Sequence, residues 1–257
     1  MSPAADRHGR FAAVRGGPGR SGALEGPRGP AAGSRPYTSP LVADLPFDLR
    51  GELADRLMDA LDQEGKIARA LDALGPLAGR NVLVVDPATG VQAAELADLG
   101  ARIVPTGPGT IHAPDDSVDA VVALWSAFRP PSPVEVEEAD RVLRADGRLL
   151  VVHDYGRDDV SRLRPDAADI GTWSRRDGWF LRTGFRIRVI HCFWTFDSLA
   201  AARAFLADAF GPVGAELAAS LKRPRLSYNV AVYHRSRGDV GAADPLDRTV
   251  GSGAARS

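Results

Sequence analysis

Residues with acid-base chemistry are concentrated in HDYGRDD, residues 153 to 159. The apolar run that precedes them indicates that they leave the carboxyl end of a buried strand, which is where open α/β sheets bind their ligands. There, His153, Asp154 and Tyr155 would supply a general base and its orienting partner for deprotonating a substrate hydroxyl or amine. Alternatively, Asp158 or Asp159 caps the helix that follows. We predict His153, Asp154 and Tyr155 as the candidate catalytic set.

A second segment, WSRRDGWFLRTGF at residues 173 to 185, combines aromatic residues and arginines on a predicted helix. Such a surface could stack on, or pair with, an anionic substrate. We favour the simpler interpretation, in which the arginines are solvated and the aromatic side chains are core contacts. Those side chains are Trp173, Trp179, Phe180 and Phe185.

Cysteine and histidine give little support for a metal site. Cys192 is the only cysteine, which excludes an intrachain disulfide and a cysteine-rich zinc site. His191 lies in the predicted strand IHCFWTF, and we interpret it as a packed or edge residue. Because His153 and Asp154 are adjacent and no second cluster has ligand spacing, we expect no metal.

The elements that position these residues follow from hydrophobic periodicity. Apolar residues from about Arg50 to Leu77 predict two amphipathic helices broken near Gly65. Strands and helices then alternate, which indicates a parallel sheet. The predicted strands span residues 81–85, 101–104, 118–125 and 148–153, and the predicted helices span 91–99 and 133–144. We expect Gly100 and Gly147 to end these helices in the left-handed conformation.

The last third of the chain follows a different pattern. It predicts helices near residues 170–183, 198–210 and 213–221, and strands at 186–196 and 226–233. The two strands are long enough to pair with each other as a hairpin-like edge. The fold class is therefore α/β, a Rossmann-like doubly wound and mostly parallel sheet with an antiparallel final strand.

Two segments in the middle of the chain carry a family resemblance. PDDSVDAVVALWSAF (114–128) and EEADRVLRADGRLLVVHDY (137–155) resemble the class I S-adenosylmethionine-dependent methyltransferases, of the type 11 group. The resemblance spans about Gly79 to Arg237. It implies a seven-stranded sheet with an antiparallel final strand, and S-adenosylmethionine as the cofactor. The implied cofactor contacts are Asp86, Ala88, Thr89 and Gly90 after the first strand, and Trp125 after the third.

The cofactor turn departs from the pattern of that family. In NVLVVDPATG, residues 81 to 90, Val84 stands at the usual acid, and only Gly90 remains of three glycines. Asp86 and Ala88 replace the other two, and a carboxylate at Asp86 would repel the cofactor's carboxylate or attract its amine or sulfonium. In an alternative alignment, Asp86 itself takes the place of the acid.

A second departure follows the second strand. Residues 104 to 107 read Val-Pro-Thr-Gly, so the acid that usually binds the ribose hydroxyls is missing. About a dozen residues then separate Pro105 from Val118, which is too few for a helix and a strand. We predict that this βα unit is deleted or reduced to a loop, so that the sheet is reduced between strands 2 and 4.

Composition sets the remaining limits. The 257 residues include 44% hydrophobic and 25% charged residues, with a net charge of -1, as in an ordinary globular protein. We divide the chain into a disordered tail at 1–40, one domain at 41–237 with its amino-terminal helices at 41–78, and a second tail at 238–257. No apolar run is long enough to span a bilayer. We expect a cytoplasmic protein without a nucleic-acid or membrane partner.

Two functional hypotheses remain open. The first is an S-adenosylmethionine-dependent methyltransferase that acts on a small molecule or another unidentified acceptor. The second is a catalytically degenerate methyltransferase-like domain that serves as a binding or regulatory module. The departures at Asp86, Ala88 and the second acid motivate the second hypothesis, while the retained sheet favours the first.

Overall fold

The computed structural model describes residues 45–85, 91–106, 111–125, 127–128 and 132–239. The chain divides into two compact units, Met1–Thr38 and Ser39–Ser257, and all described residues lie in the second. The predicted tail at 1–40 therefore lies outside the described residues, as does the tail at 238–257 apart from its first two residues.

A single six-stranded sheet forms the centre of the described part. Its strands are β1 (Asn81–Val85), β2 (Arg102–Pro105), β3 (Val118–Leu124), β4 (Leu143–Asp154), β5 (Arg186–Thr195) and β6 (Arg225–Ser236). They lie in the order β2-β1-β3-β4-β6-β5. The first four strands are parallel, and β6 lies between β4 and β5, antiparallel to both. The predicted α/β fold class with an antiparallel final strand is confirmed.

Helices cover both faces of the sheet. They are α1 (Glu52–Ala60), α2 (Lys66–Ala73), α3 (Val91–Asp98), α4 (Pro133–Val142), α5 (Ala167–Trp173), α6 (Trp179–Arg182) and α7 (Leu199–Ser220). The α3 face, defined by Val82, Val84, Val122 and Val152, packs with α1, α2, α3 and α7. The α4 face, defined by Leu83, Val85, Val121 and Val151, packs with α4 and α6. The alternation of side chains along each strand therefore produces two separate core layers.

The two predicted amino-terminal helices are confirmed as α1 and α2. Gly65 precedes α2 in the left-handed conformation with φ 60°, which explains the break between the helices. The buried Asp62 carboxylate accepts a hydrogen bond from the Ile67 amide at 2.7 Å, so it satisfies one of the free amides at the start of α2. Burial raises the pKa of Asp62 against the opposing effect of this bond and of Lys66.

The connection between β2 and β3 is short. In its described part, Thr106 and residues 111–117, it forms turns but no helix and no strand. The predicted reduction of the sheet between strands 2 and 4 is thus confirmed for that part. The expectation of seven strands is wrong for the described residues, because the missing βα unit removes one strand from the sheet.

The predicted role of Gly147 is also wrong. Gly147 does not have a positive φ, and α4 ends instead at Val142, after which the extended backbone of Leu143 begins β4. Gly147 is required for another reason: a Cβ atom there would lie 2.8 Å from the Arg144 carbonyl oxygen. By contrast, Gly100 ends α3 with φ 90° as predicted.

The last third of the chain has the predicted elements with shifted bounds. The stretch predicted as one helix near 170–183 forms the two short helices α5 and α6. The helices predicted at 198–210 and 213–221 form α7, which is interrupted at Gly211 by non-helical angles of φ 56° and ψ -135°. Within the described residues, no helix is long and apolar enough to cross a membrane.

Candidate functional site

The carboxyl ends of the four parallel strands meet at one edge of the sheet, which we call the carboxyl edge. The strands end there at Val85, Pro105, Leu124 and Asp154. The predicted cofactor contacts Asp86, Ala88, Thr89 and Gly90 follow Val85 directly in sequence but lie outside the described residues. Their assignment to a cofactor stays a prediction. The described part of the edge is formed by residues after β2, β3 and β4.

Trp125 follows β3 at this edge, as predicted. Its backbone has φ 56°, a left-handed conformation that is uncommon for a residue other than glycine and costs conformational energy. The side chain is 1% exposed and packs in the core of the α3 face. The indole nitrogen is buried and has no hydrogen-bond partner among the described residues. Trp125 therefore lies at the predicted place, and its role as a cofactor contact remains a prediction.

Thr106 follows β2, where related nucleotide-binding sheets have an acid. Its hydroxyl donates a hydrogen bond of 3.1 Å to the carbonyl oxygen of Val84 in β1. This bond ties the end of β2 to the end of β1. In this structure the hydroxyl thus stabilises the pairing of β2 with β1.

Glu135, in the first turn of α4, is a polar residue at this edge that the sequence did not single out. Its carboxylate accepts a hydrogen bond of 2.7 Å from the amide of Phe128, which has a left-handed φ of 59°. Burial raises the pKa of Glu135, and the Phe128 amide opposes that rise. Glu135 therefore ties the left-handed Phe128, which follows β3, to the first turn of α4.

Asp154, at the end of β4, forms a buried polar cluster on the α3 face. One carboxylate oxygen accepts a hydrogen bond of 2.6 Å from the hydroxyl of Tyr228 in β6. The other oxygen lies 2.6 Å from the guanidinium of Arg164, and the side chains of this ion pair are only 4% and 6% exposed. The Arg164 guanidinium also donates to the carbonyl of Pro46 and lies 4.1 Å above the ring of Phe47.

The sequence analysis did not identify Tyr228 and Arg164, the two residues that bind the Asp154 carboxylate. Burial, followed by the charge of Asp154, raises the pKa of the Tyr228 hydroxyl well above its usual value. The hydroxyl therefore remains a neutral donor to Asp154 at physiological pH. Because Tyr228 is 74 residues from Asp154 in the sequence, no local spacing could have indicated this pair.

His153 lies on the opposite face of the sheet from Asp154. Its ring packs in the α4 face against Trp173, with ring centroids 5.0 Å apart, and against Phe180 at 6.1 Å. Adjacent residues of a strand point to opposite faces, so the side chains of His153 and Asp154 lie on different sides of the sheet in this structure. The two side chains therefore do not face each other, and the catalytic role of His153, Asp154 and Tyr155 stays a prediction.

Tyr155 completes the predicted set. It is half-buried and packs against the core of the α4 face, and its amide donates to the carbonyl of Asn229 at 2.8 Å. The Arg157 guanidinium lies 5.7 Å from the centre of the Tyr155 ring. Tyr155 therefore lies on the same face as His153 and apart from the Asp154 cluster.

The two aspartates that follow serve the local backbone. Asp158 accepts hydrogen bonds from the amides of Ser161 and Asn229, both at 2.7 Å. Asp159 accepts bonds from the amide and hydroxyl of Ser227 at 2.9 and 2.7 Å. Asp158 thus has the predicted capping role at the short 3-10 helix Val160–Leu163, while Asp159 joins this segment to β6.

The aromatic side chains of residues 173 to 185 mostly have the structural role that we favoured. Phe180 and Phe185 are buried, and Phe180 stacks on Tyr233 with ring centroids 3.9 Å apart. Trp173 and Trp179 are only half-buried. His191 is exposed on the edge strand β5 and bonds to Asn229 at 2.7 Å. Among the described residues, no group of histidine, cysteine or acidic side chains is arranged to hold a metal ion.

Solved structures with a related fold include proteins described as methyltransferases. A candidate methyltransferase from Bacillus halodurans shares 16% identity at a TM-score of 0.41, over 66% of this chain and 98% of that one. One from Anabaena variabilis, described as belonging to an antibiotic biosynthesis pathway, shares 18% at 0.41, over 69% and 99%. A candidate sarcosine dimethylglycine methyltransferase from Galdieria sulphuraria shares 14% at 0.38, over 77% and 94%.

These matches are to the class of protein that the sequence resembles. No family model and no curated protein matches the sequence.

Proposed function

We propose that this chain is an S-adenosylmethionine-dependent methyltransferase whose acceptor is unidentified. The observation that carries the proposal is the strand order β2-β1-β3-β4-β6-β5, with β6 antiparallel between β4 and β5. This order retains the arrangement that the family resemblance implies. It also brings the ends of β1, β3 and β4 to one edge, and the predicted cofactor turn follows β1 in the sequence.

The proposed reaction relies on positioning more than on acid-base chemistry. A methyl group passes from a sulfonium to a nucleophile in a single displacement, and orientation of the two reactants can supply much of the rate. The Asp154 carboxylate is held by Tyr228 and Arg164, so it is not placed to accept a proton from an acceptor. His153 and Tyr155 lie on the other face, and we leave their predicted roles as predictions.

Cofactor binding is the first test. Calorimetric titration with S-adenosylmethionine and S-adenosylhomocysteine should detect binding with a Kd below about 1 mM, equivalent to about -4 kcal/mol. Gly90→Arg should abolish this binding, because Gly90 is the remaining glycine of the predicted cofactor turn. Gly171→Arg is the matched control: a Cβ atom at Gly171 meets nothing within 4 Å. The proposal fails if neither compound binds to the folded wild-type chain.

A second candidate is the degenerate methyltransferase-like module. One observation favours it: polar groups at the described carboxyl edge are engaged within the protein. The Thr106 hydroxyl bonds to Val84, Glu135 bonds to Phe128, and Asp154 is held by its buried partners. Transfer of a labelled methyl group from S-adenosylmethionine to a small-molecule fraction, lost in Gly90→Arg and kept in Gly171→Arg, would exclude this candidate.

A further inference from the structure

A cleft on the outside of the α4 face lies at the helices α5 and α6. Its volume is about 430 Å³, which is within the range of about 300 to 1,000 Å³ that is typical of small-molecule pockets. Its side-chain lining combines aromatic rings with charged groups: Thr172, Trp173, Arg175, Asp177, Trp179 and Arg182. None of these residues belongs to the carboxyl-edge site described above.

The two tryptophans of this cleft are fixed from the inside. Trp173 packs edge-on against His153 at 5.0 Å and against Phe180 at 6.3 Å between ring centroids. Trp179 packs edge-on against Phe180 at 5.2 Å. Both indoles nevertheless remain half-buried. A rigid, partly exposed indole loses little conformational entropy when a ligand stacks on it, and such rings are effective ligand contacts.

The two arginines of the cleft have no partners within the described structure. Arg175 and Arg182 are exposed, and their guanidinium groups make no ion pair or hydrogen bond with any described residue. Some other arginines are engaged by carboxylates, as Arg141, Arg144 and Arg235 are, whereas Arg175 and Arg182 are available to a ligand. Asp177 is the only acid among the described lining residues, and these residues present two positive charges against one negative charge.

The backbone loop between the tryptophans is tightly packed. The amide of Gly178 donates to the carbonyl of Arg175 at 2.9 Å, and the Arg175 amide donates to Thr172 at 3.2 Å. A Cβ atom at Gly178 would lie 2.5 Å from the carbonyl oxygen of Thr172 and 2.6 Å from that of Trp173. These distances leave no room for a side chain at Gly178, so the compact loop that carries Arg175 requires glycine at this position.

We propose that this cleft binds a planar anionic small molecule, an aromatic ring that bears a carboxylate or a comparable oxyanion. The ring would stack on the exposed part of an indole, and the oxyanion would pair with Arg175 and Arg182, whose guanidinium groups suit carboxylates. The proposal does not depend on the proposed methyl transfer, because it concerns a different part of the surface.

Three probes separate the contributions of ring and charge. 2-Naphthoate is planar and anionic, 2-naphthamide is planar and neutral, and cyclohexanecarboxylate is anionic without an aromatic ring. Calorimetry and quenching of tryptophan fluorescence should show 2-naphthoate binding at least about tenfold more tightly than either of the other two. If 2-naphthoate does not bind, or binds no better than 2-naphthamide, the proposal is overturned.

Surface substitutions then locate the site without disturbing the core. Arg175→Ala and Arg182→Ala should each weaken 2-naphthoate binding by about tenfold, the effect of losing a charged hydrogen bond. Asp177→Asn should strengthen it, because a repulsive carboxylate is removed. Arg176→Ala is the matched control, since Arg176 is exposed beside the cleft but does not line it. An equal loss in Arg176→Ala would show a general charge effect and overturn the assignment.

Tryptophan variants test stacking directly. Trp179→Leu removes the stacking surface and should reduce 2-naphthoate affinity about tenfold, provided that the near-UV circular dichroism remains native. If Trp179→Leu does not fold, the arginine variants and Asp177→Asn still decide the question, because those side chains are exposed. The proposal is contradicted if 2-naphthoate affinity is unchanged in a folded Trp179→Leu and also unchanged in the Arg175 and Arg182 variants.

Discussion

Replacing Arg164 by methionine tests the buried polar cluster at the end of β4. Methionine keeps much of the aliphatic length of the arginine side chain and removes its guanidinium. Asp154 would then retain the hydroxyl of Tyr228 at 2.6 Å but lose the one ion-pair partner that it has among the described residues. The carboxylate is buried with 4% of its side chain exposed, so the loss leaves a charge without compensation in a poorly solvated place.

The expected cost of this change is large for a single substitution. Removing one partner of a buried ion pair costs about 3–5 kcal/mol, because the remaining charge stays buried and unpaired. The contact of the guanidinium with the Phe47 ring at 4.1 Å adds about 0.5–2 kcal/mol. We expect the free energy of unfolding to fall by at least about 3 kcal/mol, and Tm by roughly 10 °C for a domain of this size. Urea denaturation followed by far-UV circular dichroism measures the change.

A double-mutant cycle shows whether the loss comes from the pair itself. Asp154→Asn removes the charge that Arg164 neutralises, so Arg164→Met should cost about 2 kcal/mol less in that background than in the wild type. Arg162→Met is the matched control, because Arg162 is exposed in the short helix that directly precedes Arg164 and should change stability by less than about 0.5 kcal/mol. Additive effects of the two substitutions, or a loss in Arg164→Met no larger than in Arg162→Met, would refute the reasoning.

Two further perturbations address packing and pH. Gly214→Ala should destabilise the protein by about 1–3 kcal/mol, because the new Cβ atom would lie 1.9 Å from the Leu206 carbonyl oxygen. Gly171→Ala should instead stabilise α5 by about 0.5–1 kcal/mol, because a Cβ atom there meets nothing within 4 Å. Thermal unfolding of the two variants measures this difference, and equal effects would contradict the packing of α7. Burial first, and then neighbouring arginines, lower the pKa of His234 below 6.5. Stability linked to His234 is therefore fully present above pH 6.5 and is lost as the pH falls through 6.5 towards the lower folded value. His234→Gln should remove this loss in urea titrations between pH 7.5 and about 5, and an unchanged pH profile would contradict it.

Much of the fold could be predicted because periodicity and burial are local properties. The strand at 81–85 was placed at the observed bounds, since a run of five residues covered on both faces is almost uniformly apolar. The sequence indicated the break at Gly65 and the end of α3 at Gly100, because both positions have positive φ, a conformation that favours glycine. Gly147 was misjudged because close contact with Arg144 also requires a glycine, and sequence alone does not distinguish contact from backbone conformation.

The candidate site was harder to predict because its bonds join distant parts of the chain. The predicted position of Asp154 and Trp125 at the carboxyl edge was correct, because it follows from strand direction alone. The partners of Asp154 come from 74 residues away in β6 and from the segment after β4. No spacing rule connects such residues, and only the antiparallel register that pairs Asp154 with Val230 brings Tyr228 close to the carboxylate.

The Asp154 cluster also limits the chemistry that the proposed methyltransferase can use. For Asp154 to act as a general base, its pair with Arg164 must be broken at a cost of about 3–5 kcal/mol, which lowers a rate by about 10² to 10⁴. General base catalysis contributes about the same factor, 10² to 10⁴, so recruiting Asp154 gives no net gain. A transfer at this edge would therefore depend on orientation of cofactor and acceptor. Asp154→Asn should lower the free energy of unfolding while leaving kcat of the folded enzyme within a few-fold of wild type, and a large drop in kcat with KM unchanged would show that Asp154 does accept a proton.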